Sequence, residues 1–183
     1  MEIQIKFDTK RNLHTAQIFT LRKALDNFYY FHLLLGESSY GSDENVWLSW
    51  LKIGFETSLV ERPPGVPRDD RMRIETQPEP RWVVIRIESA KSNTLTAVKT
   101  LLQRVNTLRN TFQDKSEEDR ATALLNDRDA SSPGSLLKRL NERLGTFSLR
   151  PAEIQQLNET IRESTLWITD NDILDISVTK TKS

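Results

Sequence analysis

The stretch Trp82-Val83-Val84-Ile85-Arg86-Ile87-Glu88-Ser89 decides the class of fold. Val83, Ile85 and Ile87 fall on one side of an extended chain, with Trp82, Val84, Arg86 and Glu88 on the other. This is the period-two pattern of a strand that turns one face to a core. A second run, Met72–Thr76, precedes it across the turn residues Pro78–Pro80. Two strands joined so closely pair antiparallel, because a parallel pair needs a crossover of a dozen residues or more. A hairpin at this place argues against a doubly wound parallel sheet.

Toward the N-terminus, Ile3, Ile5 and Phe7 alternate with Glu2, Gln4 and Lys6 and predict a first strand. Helical spacing follows over 13–35. Ile18, Leu21, Leu25, Phe28, His32 and Leu35 share one stripe, Phe19, Tyr30 and Leu34 a second, and Gly36 supplies a stop. Ser42 or Asp43 is placed to cap a helix over 44–60, whose broad apolar arc holds Trp47, Trp50 and Phe55 with Gly54 near its middle. The two helices are expected to form a hairpin, each covering part of the other. Pro63, Pro64, Gly65 and Pro67 mark a loop over 61–70.

Toward the C-terminus, Asn93 or Thr94 opens a long helix to about Phe112. Leu95, Val98, Leu102, Val105 and Phe112 hold one face, and Thr96, Lys99, Gln103, Asn106 and Asn110 the opposite one. A short helix is expected over 117–126. Ser132-Pro133, in the favoured cap-then-proline order, begins another that ends near Gly145, and Pro151 begins the last. Ile173–Thr179 reads as a closing strand. The order β-α-α-β-β-α-α-α-α-β predicts an α+β fold, a small, largely antiparallel sheet of about four strands packed with a helical hairpin and further helices. The chain reads as a single α+β domain over 1–183, with 130–183 as the segment that could form a semi-independent helical lobe.

Composition bounds the chemistry. Of the 183 residues 37% are hydrophobic and 28% charged, a globular balance, and no apolar run approaches the length of a membrane span. There is no cysteine, so disulfides, thiolate metal sites and thiol nucleophiles are out. The first residues lack a basic head and an apolar signal core, and a cytoplasmic address without membrane attachment is the expectation. With 26 basic and 26 acidic residues the net charge is zero, which gives no bulk attraction to nucleic acid. The charge is blocky all the same: residues 152–175 hold six acids and one base.

Catalytic candidates are few. His14 and His32 are the only histidines; on one helix they stand about 27 Å apart and cannot share a metal. His32, inside an apolar stripe, reads as a hydrogen-bonded core histidine. Gly36–Gly41 has the glycine spacing of a phosphate loop but lacks its lysine and follows a helix. Ser135/Lys138 and Ser177/Lys180 match a serine-x-x-lysine pattern without its companion motifs. One acidic set remains: Asp70, with Asp69 beside it, Glu75, Glu88 and Lys91, as in a Mg²⁺-dependent phosphodiester-cleaving enzyme. The spacing is against it, since two residues separate Glu88 from Lys91 and set them on opposite sides of a continuing strand. Arg71, Arg73, Arg81, Trp82 and Arg86 could serve a nucleic-acid-binding module, but Glu75, Glu79 and Glu88 interleave with them.

Phe28-Tyr29-Tyr30-Phe31-His32-Leu33-Leu34-Leu35 is apolar on every side of its helix, so something must cover it. The leading expectation is a non-catalytic protein–protein interaction component, an adaptor, regulatory or assembly subunit, with a protein partner or a second copy shielding the N-terminal helical hairpin. The contact residues expected are Phe19, Phe28, Tyr29, Tyr30, Phe31, Leu34, Trp47, Trp50 and Phe55. No cofactor and no metal site are expected.

Overall fold

A computed structural model describes residues 1–8, 15–36, 71–77, 82–147 and 149–180. Along the chain these form β1 (Glu2–Asp8), α1 (Thr15–Gly36), β2 (Arg71–Gln77), β3 (Trp82–Glu88), α2 (Ser92–Thr111), α3 (Glu117–Leu125), α4 (Pro133–Leu144), α5 (Pro151–Thr169) and β4 (Asp172–Thr179). The expected helix over 44–60, the 61–70 loop and the Pro78–Pro80 turn lie outside the described residues. Everywhere else the elements stand where the patterning puts them, within a residue or two.

The four strands make one antiparallel sheet in the order β2-β3-β1-β4. The alternation seen in sequence fixes its register. Ile3 stands opposite Ile87 and Val178, Ile5 opposite Ile85 and Ile176, and Phe7 opposite Val83 and Ile173. A one-residue slip would turn every one of these side chains to the other face, so the register is strongly held. Between Lys6 and Phe7 the pairing with β4 shifts by one, which leaves Leu174 as the extra residue of a bulge.

Helices cover the isoleucine face. Leu21, Leu25 and Phe28 of α1, Leu95, Val98, Leu102 and Val105 of α2, Leu136 and Leu140 of α4 and Leu157 and Ile161 of α5 are buried in one cluster with Ile3, Ile5, Phe7 and Ile85. Burying a side chain of this size fully contributes about 1.5–3 kcal/mol, so this cluster dominates the favourable side of folding. α1 lies along α5, where the small polar side chains Thr160, Ser164 and Thr165 let the helices come close. Inside that contact Asn27 Nδ2 donates to Ser164 Oγ at 2.9 Å.

Local signals work as the residues suggest. Ser132 Oγ accepts from the backbone N–H of Ser135 at 3.0 Å and donates to the Asp127 carbonyl at 2.7 Å, which caps α4 and ties it to the end of α3. At the start of α5 the Glu153 carboxylate accepts from the Arg150 N–H at 3.0 Å. Gly145 ends α4 in the ordinary right-handed region (φ −63°), not in the left-handed conformation that glycine uniquely supplies.

The opposite sheet face is polar and charge-paired. Arg73 reaches across β3 to Glu2 and also contacts Glu88 at 3.4 Å, while Arg86 pairs with Glu75 and lies 3.8 Å from Glu2. The sequence Glu88–Arg73–Glu2–Arg86–Glu75 therefore alternates in sign across three strands. The alternation offsets two like-charged neighbours in the ladder, Glu2 opposite Glu88 and Arg73 opposite Arg86.

Candidate functional site

The aromatic stretch of α1 is largely interior. Phe28, Phe31, Leu33 and Leu34 are fully buried and Tyr29 nearly so, within the core cluster formed by the chain itself. The cover that an all-round apolar helix end demands is thus supplied, for these residues, by β1, α2, α4 and α5 of the same chain. Tyr29 Oη shares a hydrogen bond of 2.7 Å with Ser89 Oγ, and its ring meets Tyr30 edge-on at 5.5 Å between centroids. Tyr30 is half-buried. Phe19 alone of the described contact candidates is exposed, at 43%. Trp47, Trp50 and Phe55 lie outside the described residues.

His32 is 7% exposed, a core histidine as its stripe predicts, and its Nε2 has no hydrogen-bond partner among the described residues. Burial pushes its pKa down to about 4, and the positive Arg139 adds to the effect. The imidazole is neutral at pH 7 and serves as a packing group. His14 lies outside the described residues.

Glu75 and Glu88 of the acidic set do not converge. Glu75 and Glu88 share the polar sheet face, but the register sets Glu75 opposite Val84, four positions from Glu88. Four positions along a strand are about 13 Å, too far for two carboxylates to hold one Mg²⁺. Glu75 pairs with Arg86, and Glu88 lies against Arg73. Lys91 follows the strand end and precedes α2. Asp69 and Asp70 lie outside the described residues. Among the described residues no three of histidine, aspartate and glutamate come close enough to hold a metal ion.

The arginine–tryptophan hairpin is compensated in the same way. Arg73 and Arg86 face glutamates, and Lys6 Nζ sits 4.6 Å from the centroid of the Trp82 ring, so a cation occupies the face a base would stack on. No helix among the described residues is long and apolar enough to cross a membrane.

What does stand open is a groove of about 490 Å³ between α2 and β4, lined by Gln103, Asn106 and Thr107 on the helix and Ile173–Ile176 on the strand. β4 ends the sheet, so one of its edges has no strand partner among the described residues. The bulge turns Leu174 outward, where it is 54% exposed, the most exposed large apolar side chain among the described residues. Asp175 makes no ion pair, and the carboxamides of Gln103 and Asn106 make no hydrogen bond, among the described residues. Thr107 Oγ1 is spent on its own helix, donating to the Gln103 carbonyl at 2.9 Å.

Two ties hold the groove's walls together. Arg109 of α2 donates from Nε to the Thr169 carbonyl at 2.8 Å and pairs with Asp172, fastening α2 to the turn between α5 and β4. Arg104 grips Asp127 with two bonds of 2.7 and 3.0 Å, fixing α2 against the end of α3. The Arg104 guanidinium holds the Asp127 carboxyl below the usual carboxylate range.

Sequence patterning singled out Gln103 and Asn106 as part of an amide-rich face but not Thr107 or the strand residues opposite. The signal for the strand was present: Ile173 and Leu174 are consecutive apolar residues that break strict alternation, as a bulge does. Comparison with protein-family models, with curated proteins and with solved structures finds no match for this chain.

Proposed function

We propose that this chain is a non-catalytic protein–protein interaction component, an adaptor, regulatory or assembly subunit, whose contact surface is the open groove between α2 and β4. The observation that carries the reading is the exposure of Leu174 beside a strand edge and two carboxamides that have no partner among the described residues. An exposed sheet edge is a template for another chain, and carboxamides offer both a donor and an acceptor to a peptide backbone. The surface thus moves from the aromatic stretch of α1 expected from sequence, which packs inward, to the far edge of the sheet. Phe19 remains available as a secondary apolar contact.

The test is reconstitution. A partner captured by the whole chain and purified separately should rebind stoichiometrically, and Leu174→Asp should abolish that binding while leaving the unfolding midpoint unchanged. Hydrolysis of bis-p-nitrophenyl phosphate with Mg²⁺ or Mn²⁺, lost in Glu75→Gln and Glu88→Gln, would overturn the reading in favour of an enzyme.

A further inference from the structure

We draw no further inference here: the strongest candidate, the open groove between α2 and the edge of β4, has its acidic lining residue Asp175 opposite Lys6 in the sheet register, and nothing in the structure shows what covers it.

Discussion

Arg109 Nε donates to the carbonyl of Thr169 at 2.8 Å, sixty residues along the chain, and its guanidinium pairs with Asp172. One side chain thereby satisfies an orphan carbonyl at the C-terminus of α5 and anchors the first residue of β4 to α2. Arg109→Met would keep much of the aliphatic packing but remove the donor to the Thr169 carbonyl and the ion pair with Asp172. The expected loss is about 1.5–3 kcal/mol, the range for hydrogen bonds to charged groups, read as a lower urea midpoint at unchanged slope. Arg109→Lys should recover less than half, because an ammonium cannot supply the same forked geometry.

Gly134 and Gly145 make opposite predictions at the two ends of α4. A Cβ on Gly134 would run into the Leu125 carbonyl and stand 2.7 Å from the Asp127 carbonyl oxygen, both backbone atoms. Alanine's better helix propensity, about 1 kcal/mol, competes with an overpacking cost of about 1–3 kcal/mol against groups that cannot swing away. Gly134→Ala should therefore destabilise the fold. A Cβ on Gly145 would stand 3.4 Å from the nearest atom, in right-handed backbone that alanine adopts freely. Gly145→Ala should stabilise by about 0.4–1 kcal/mol, chiefly by restricting the unfolded chain. Thermal melts of the two variants check both signs.

His32 gives a pH dependence. Its pKa is about 4 in the fold against 6.5 for the ordinary imidazole. Between these values the unfolded chain binds the proton and the native state does not, so stability rises with pH through this window and levels off above 6.5. The full span is on the order of 3 kcal/mol. His32→Phe should flatten the part of the stability curve between pH 4 and 6.5, leaving the steeper loss at lower pH to carboxylates such as Asp127, whose pairing with Arg104 depresses its pKa. An identical slope in wild type and His32→Phe would show that the imidazole is reached by solvent.

Much of this fold was legible because its signals are local. Alternation in Ile3–Phe7 and Trp82–Glu88 gave strands and their inward faces, and Ser132-Pro133 gave a helix start that the Ser132–Ser135 bond realises. The interior fate of Phe28–Leu35 was not legible, because an apolar helix end says only that it is covered. Whether the cover comes from the same chain is decided largely by α4 and α5, about a hundred residues or more further along. The groove was hidden for a related reason. Gln103 and Asn106 look like ordinary solvent-face residues until the sheet order places β4, rather than β3 or β1, at the edge beside them. Within the acidic set, register separates Glu75 and Glu88: they sit on neighbouring strands four positions apart, about 13 Å, each beside an arginine.

That the edge of β4 receives another chain can be read from amide hydrogen exchange of Ile173–Ile176. In the whole chain alone, the outward-pointing amides of this segment should exchange fast, as unpaired edge groups do. With the purified partner at saturation they should slow by about tenfold or more, as amides entering a strand ladder do, while amides of α3 and α4 stay unchanged. Protection that appears instead around Phe19, or that leaves Ile173–Ile176 exchanging at the free rate in the presence of bound partner, would contradict it.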